Sequence, residues 1–485
     1  MAVAFSRSHH RHESTFCDGP MTVGVRPSII TWLASTSRYA LLAGLLLAPH
    51  FANAAAVCVI RSSHRMLLVQ DLASRWQLPG GGAEPAETPQ QNALRETLEE
   101  TGIEATISGV LATEGSVHVF GCQARSPLQA QGHAVNVLGA PHLGRETIQA
   151  RLVTRDEARQ LRTRFPDQLE RAFERLPDVP DTALQPVAGF DPATPFREAE
   201  LQRVKQTQQW PLGPVATVGN VLGEFWFYLL TMPVLWVVFG ARVARLMLMT
   251  LMLVTVVVQG LKAWVAVPRP FSFDPSLSLS GAGGPAMPSG HTASATAFFL
   301  LIALWLAGRS AGKGRYWRHL GLGVLALMAG LLAGLSRVWL GVHYWSDVGV
   351  GLLLGVLSAV AIRELERRLS CSQKPGRDER AGWAVLAVAS LAAGLSWWTM
   401  AMLLPLSVAV ACAFAPRRAQ ELSSARSAAV LLAGLLLLAG FCLPAAQRAE
   451  PFVFAASLQA MVFAAMGLWI AWGAGAVATW RSKNP

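Results

Sequence analysis

Hydrophobic and polar positions fall into two regimes along the chain. Up to about residue 213 apolar residues come in short runs between polar turns, and beyond it in long ones. Residues 57 to 70 (VCVIRSSHRMLLVQ) alternate loosely and predict strand, turn and strand. A Gly-rich turn follows at Pro79-Gly80-Gly81-Gly82. A polar helix is then expected from about Thr88 to Thr101, closed by Gly102, a favourable C-cap residue. The long apolar runs lie at about 216–239, 246–267, 291–307, 319–336, 348–362, 382–416, 427–446 and 452–480. A single helix over 382–416 would be roughly 50 Å long against a hydrocarbon core of roughly 30 Å. Two helices meeting near Trp398 to Pro405 are expected instead. That gives nine spans, four of them (382–480) following the others.

The first 56 residues form a leader. Its polar start contains His9, His10 and His12, and Met21 is a second candidate start. Arg26 and Arg38 precede the apolar run Tyr39–Ala48, and Phe51-Ala-Asn-Ala54 follows it. This pattern fits a signal peptide cut after Ala54. It also fits an uncleaved anchor, a tenth span, if the apolar stretch continues through Ile60. Both readings carry the next domain out of the cytoplasm.

Composition agrees with this division. Of 485 residues 52% are hydrophobic and 15% charged, which excludes a disordered or fibrous chain. The net charge is +11, yet 21 of the 30 acidic residues precede residue 201. Six cysteines at 17, 58, 122, 371, 412 and 442 show no zinc spacing. Cys58 and Cys122 could pair if their domain is exported, but the expectation is that both are small buried residues.

Basic residues set the topology. Arg242 and Arg245, then Arg309, Lys313, Arg315 and Arg318, then Arg363 to Arg380, then Arg417, Arg418 and Arg426, and finally Arg481 and Lys483 occupy every second loop. Those loops are expected to face the cytoplasm. The alternate loops and the soluble domain then face the periplasm. Residues 177 to 213, rich in Pro and charge, read as a linker ending in an amphipathic helix on the membrane surface.

Spacings of three and four place Glu96, Glu99 and Glu100 along one side of the expected helix. Like charges so placed repel unless a cation offsets them, and hard oxygen ligands suit magnesium or manganese. The wider spacing decides the reading. Gly81, five residues, Glu87, seven residues and Arg95-Glu96-Thr97-Leu98-Glu99-Glu100-Thr101-Gly102 resemble the Nudix box. Thr97 stands where an aliphatic residue is usual, and Ala86 where Gly is common. The resemblance implies an α/β/α sandwich over about residues 57–176. Glu96, Glu99 and Glu100 would hold Mg2+ or Mn2+, Gly81 and Glu87 would lie close by, and Arg95 would orient the acidic cluster. The reaction would be hydrolysis of a diphosphate linkage. The base outside the box is variable, and Glu114 is a candidate.

In the membrane half, ionisable residues from separate spans converge on the outer face. Lys262-x6-Arg269-Pro270, Pro288-Ser289-Gly290-His291 and Ser336-Arg337-x5-His343-x3-Asp347 resemble the three-part signature of the type-2 phosphatidic acid phosphatase superfamily. The resemblance covers about residues 214–367. It implies an all-α polytopic bundle in which Lys262, Arg269, Ser289, Gly290 and Arg337 hold phosphate. His343 would attack phosphorus, His291 would act as acid and base, and Asp347 would orient His343. It implies no cofactor for this half.

Together these readings describe a Nudix sandwich followed by a membrane bundle of about nine spans. The expected protein is a bifunctional phosphohydrolase of a bacterial-type inner membrane, acting on a phosphorylated lipid within the bilayer and not on nucleic acid. Undecaprenyl diphosphate is the first candidate substrate, and phosphatidylglycerol phosphate or another lipid phosphate the second. A lipid-transport or partner-docking protein with a phosphatase core is the reading from another class. The last four spans have no ionisable residue in their apolar centres, so a packing role is expected for them.

Overall fold

The computed structural model describes residues 55–474 and 477, apart from 73, 188, 192–193, 281, 310–314, 398–399, 416–424 and 449–451. The leader up to Ala54, the three early histidines, Cys17 and the basic residues at 313, 417, 418, 481 and 483 lie outside the described residues.

The first part is a mixed sheet flanked by helices. Its strands are β1 (Ala55–Ser62), β2 (Arg65–Asp71), β3 (Trp76–Gln77), β4 (Gly80–Gly82), β5 (Ala105–Glu114), β6 (Val117–Ala124), β7 (Leu128–Gln131), β8 (Ala134–Val135), β9 (Thr147–Val153) and β10 (Leu184–Pro186). The order is β10-β7-β8-β9-β2-β1-β6-β5, with β3 on β2 and β4 on β1. Residues 55–60 are thus strand, so an anchor helix does not continue through Ile60. Both faces of β1 are buried, as the period of two requires of a central strand. Ala56, Cys58 and Ile60 pack with Ala93 of helix α1 (Pro89–Thr101). Val57 and Val59 pack with Ala158 of α2 (Arg155–Gln160) and Leu169 and Phe173 of α3 (Pro166–Glu174). β10 lies in the stretch expected to be linker and extends the sheet through a parallel pairing with β7.

Cys58 and Cys122, expected to be unpaired, are joined by a disulfide. The parallel pairing of β1 with β6 brings them together on one sheet face, with Cα atoms 5.5 Å apart. A bond spanning 64 residues contributes about 4 kcal/mol in the loop-entropy account. The double variant Cys58→Ala/Cys122→Ala is expected to lose that amount in denaturant unfolding. In protein denatured without reductant, Cys58 and Cys122 are expected to resist alkylation.

Helix α4 (Pro195–Gln208) joins the two parts. It was expected on the membrane surface, but it packs on protein. Leu201 and Val204 are buried with Phe273, Val338 and Tyr344, and Lys205 pairs with Asp274 at 2.7 Å.

The second part is helical: α5 (Gly213–Val221), α6 (Phe225–Phe239), α7 (Ala241–Val265), α8 (Pro270–Phe273), α9 (Gly290–Gly308), α10 (Arg315–Trp339), α11 (Trp345–Cys371), α12 (Pro375–Trp397), α13 (Leu403–Phe414), α14 (Ala425–Leu437), α15 (Leu443–Arg448) and α16 (Phe452–Leu468). Among the described residues six helical segments are long and apolar enough to cross a membrane. The pair α5–α6, bent by 56°, makes a seventh if it is one span. This is the architecture of a multi-pass membrane protein, with fewer qualifying spans than nine. The helix over 382–416 does break after Trp397. However, α13 has only 12 residues, and α12 begins in the charged stretch Pro375 to Arg380.

Basic residues gather at one end of the bundle. Arg245 of α7 binds Glu379 of α12 at 2.8 Å, and Arg363 and Trp305 both donate to Glu366. The signature residues gather at the other end, against the sheet.

Two candidate phosphate sites

In the sheet domain, Thr88 caps α1 through a reciprocal capping box with Gln91, and Pro89 occupies the first turn. Gly102 closes the helix at φ +71°. α1 then presents Asn92, Arg95, Glu96, Glu99 and Glu100 toward the β4 turn. Arg95 is the hub. It donates to both oxygens of Glu87 (2.9 and 3.0 Å), to Glu96 (3.1 Å), to Glu99 (2.7 Å) and to the Gly82 carbonyl (3.0 Å). The bond from Arg95 holds Glu87 below the usual carboxylate range. Asn92 donates to the Gly81 carbonyl (3.0 Å). A Cβ at Gly81 would occupy the place of the Glu96 carboxylate, which explains the glycine.

Glu100 is 4% exposed and accepts from the Gly80 amide (2.9 Å). Burial pushes its carboxyl up to about 8 and also raises Glu96. Buried carboxylates close enough to raise one another form a hard-oxygen donor set suited to a divalent cation. Among the described residues no three acidic or histidine side chains already converge as a cage. Arg95 holds Glu96 and Glu99.

Thr97, the departure from the usual aliphatic residue, is fully buried and donates to the Ala93 carbonyl (2.7 Å), so its hydroxyl is satisfied. Ala86, the other departure, sits at φ +67°. A Cβ is strained there. Ala86→Gly is therefore expected to raise stability by about 1 kcal/mol, read as a higher Tm.

Glu114 is placed elsewhere. Both its oxygens accept from Arg171 of α3 (2.6 Å each), which holds its carboxyl low. The residue that does face the cluster is Glu146, whose charge acts on both Glu96 and Glu100. It lies 2.9 Å from His142 Nδ1, which is 3.8 Å from Glu99. No box spacing marks Glu146, because the turn before β9 brings it there.

The other side of that turn meets the membrane half. A Cβ at Gly144 would meet the Ala266 carbonyl, just past α7. Ile148 is buried with Phe271 and Val342, and Ser272 donates to its carbonyl (3.5 Å).

In the membrane half, Lys262 ends α7 and donates to the Pro285 carbonyl (2.8 Å). Arg269 is buried and donates to the carbonyls of Gly284 (2.6 Å), Gly283 (2.5 Å) and Val342 (2.7 Å). Ser289 is the N-cap of α9, so the Gly290 and His291 amides lie at a helix start. His343 Nδ1 lies 3.1 Å from Asp347 Oδ2, one turn into α11. That oxygen also accepts from the Tyr344 amide (2.9 Å). The Asp347 carbonyl accepts from Ser289 N (3.1 Å), tying the start of α11 to that of α9. His343 is 2% exposed. Burial, with the charges of Arg269, Lys262 and Arg337 around it, holds its imidazole well below the ordinary range and therefore neutral.

Arg337 donates to Asn220 (2.7 Å), while its buried Nε has no hydrogen-bond partner among the described residues. His291 and Arg337 line a cavity of about 450 Å3 together with Asn220, Glu224 and Trp339. Arg337 and the helix start suit a phosphate group. The spacing of the signature did not mark Asn220 or Glu224, which come from the α5–α6 bend.

Comparison with known proteins assigns both regions. A NUDIX domain model matches residues 50–176, and a PAP2 superfamily model matches residues 242–370. The first region is similar to a putative 8-oxo-dGTP diphosphatase of Bacillus subtilis (strain 168), 41% identical over 59 residues, which are 12% of this chain and 40% of that protein. The second is similar to phosphatidylglycerophosphatase B of the same organism, 30% identical over 109 residues, which are 22% of this chain and 51% of that protein. The chain thus spans about half or less of the length of these curated relatives. A solved structure of a transmembrane PAP2 type phosphatidylglycerolphosphate phosphatase from Bacillus subtilis aligns at 24% identity with a TM-score of 0.32, covering 36% of this chain and 87% of that one. One polypeptide therefore carries a NUDIX domain followed by a domain of the PAP2 superfamily.

Proposed function

We propose that the chain is a bifunctional membrane phosphohydrolase. A lipid phosphate or diphosphate phosphatase works through a phosphohistidine and is joined to a metal-dependent diphosphate hydrolase. The observation that carries the phosphatase reading is the buried His343–Asp347 pair among Lys262, Arg269 and Arg337. Asp347 accepts the Nδ1 proton of His343, which leaves the Nε2 lone pair free to attack phosphorus. The three cations and the Ser289–Gly290 helix start stabilise the charge spread over the phosphoryl oxygens. His291 donates a proton to the departing lipid oxygen. It then takes a proton from the water that cleaves the phosphohistidine, which returns His343 and releases phosphate.

In the NUDIX domain, Glu96, Glu99 and Glu100 would hold Mg2+ or Mn2+. When bound, the cation supplies charge neutralisation for the diphosphate and a more acidic water. Arg95 orients Glu87, Glu96 and Glu99, and Glu146 takes the place of Glu114 as the candidate base.

Both sites are read as facing the periplasm. The alternating basic loops support this, as does the Cys58–Cys122 bond, which belongs to an oxidising compartment. An outer-leaflet lipid carrier such as undecaprenyl diphosphate fits that placement. Phosphatidylglycerol phosphate is the second reading, favoured by the similarity to phosphatidylglycerophosphatase B. Phosphate release by the purified protein from both lipids, with magnesium and with chelator, tests the assignment. Metal-independent release from undecaprenyl diphosphate at the higher kcat/KM supports the first reading. A preference for phosphatidylglycerol phosphate supports the second, and no release from either overturns both.

A further inference from the structure

We propose that Glu224 is a positioning residue for the phosphatase reaction: it holds the His291 side chain in place and supplies the counter-charge for the imidazolium that donates a proton. This rests on the phosphatase reading above and adds a residue from outside the three-part signature.

Glu224 lies in the bend between α5 and α6. Its Oε1 is 3.4 Å from His291 Nε2 and also accepts from Asn220 Nδ2 (2.9 Å). Asn220 uses its oxygen to accept from Arg337 (2.7 Å). One hydrogen-bonded chain therefore runs from Arg337 through Asn220 and Glu224 to His291. The bend is built to make that chain. Tyr228 donates to the Leu222 carbonyl (2.6 Å) and pins the turn from inside. A Cβ at Gly223 would overlap the His291 ring, and one at Gly219 would overlap the backbone of Leu332 on α10. Glycine at both positions lets the bend close on α9 and α10.

The chemistry needs such a group. A proton donor must carry its proton when the lipid arrives. Positive charge reaches His291 from Lys262 at the end of α7 and Arg337 at the end of α10, and His343 before α11 lies near it. These cations stabilise the phosphoryl group but oppose a charged imidazole. Glu224 is the carboxylate set against that ring, and at 3.4 Å it favours the charged form whichever nitrogen faces the leaving oxygen.

The test compares wild type, Glu224→Gln and Glu224→Asp on two substrates. A short-chain phosphatidic acid has a leaving oxygen that needs a proton. p-Nitrophenyl phosphate expels its phenolate without one. Glu224→Gln is expected to lower kcat on phosphatidic acid about tenfold at neutral pH and to move the alkaline fall in rate about one pH unit lower. The rate of its p-nitrophenolate burst, which reads formation of the phosphohistidine alone, should stay within about twofold of wild type, which also shows that the variant is folded. Glu224→Asp should recover most of the loss. A Glu224→Gln pH profile on phosphatidic acid that superimposes on wild type, or a p-nitrophenolate burst slowed as much as phosphatidic acid cleavage, overturns the proposal. Absence of His343-dependent phosphate release by wild type overturns the phosphatase reading itself, and this proposal with it.

Discussion

Protein carrying His343→Ala is expected to release no phosphate from lipid above the uncatalysed level, a loss of about 10⁴-fold or more, while its magnesium-dependent diphosphate hydrolysis continues. The size of the effect follows from the role. The neighbouring groups are otherwise engaged: Lys262 and Arg269 are committed to carbonyl oxygens, Ser289 caps a helix, and the other imidazole, His291, is held by Glu224. The substitution also leaves Asp347 buried with its contact to Tyr344 N alone. A modest loss of stability is therefore expected beside the loss of activity. Rapid quenching with radiolabelled lipid should trap phosphate on wild type and none on the variant. Retained lipid phosphatase activity would remove His343 from the reaction.

Glu100→Gln is expected to make the complementary cut. Metal-dependent hydrolysis should fall by about 10³-fold, with lipid phosphate release unchanged. The amide keeps the size of the side chain and can still accept from the Gly80 amide, so the fold should survive. What it loses is the charge. Glu100 is pushed up to about 8 by burial, so the metal-free site holds a proton at neutral pH. A cation binds the ionised form and displaces that proton. Calorimetric titration with Mn2+ should then show affinity rising with pH up to about 8 and levelling off above it. Glu100→Gln should flatten that rise. If the affinity of wild type is independent of pH across this range, Glu100 is not a ligand.

The parts legible in the sequence were those where chemistry fixes spacing. A metal-binding helix must repeat its carboxylates every three or four residues, and a phosphate grip at span ends must place its ions beside prolines and glycines. Gly81 and Gly102 fall in this class, since each stands where a side chain has no room. The parts that escaped depend on where distant segments meet. Glu146 reaches the box through a turn, and Glu224 reaches His291 through a bent helix pair, so neither has a fixed offset from its partner. The Cys58–Cys122 bond depends on two strands being parallel neighbours, which alternation alone does not reveal. α4 looked like a surface helix because its charged residues outnumber its apolar ones. Yet buried Glu200 accepts from the Ser346 amide (3.0 Å), so charge there serves packing.

The turn from His142 to Ile148 has a consequence for how this chain can change over generations. One side of it sets Glu146 and His142 against the NUDIX carboxylates, and the other rests on Ala266, Phe271 and Val342, next to Arg269 and His343. Seven residues thus answer to two selections at once. In a saturation library scored separately for each activity, this segment is expected to tolerate fewer substitutions than any other exposed turn of the sheet domain. Its unacceptable substitutions should divide into two sets, one read out by each reaction.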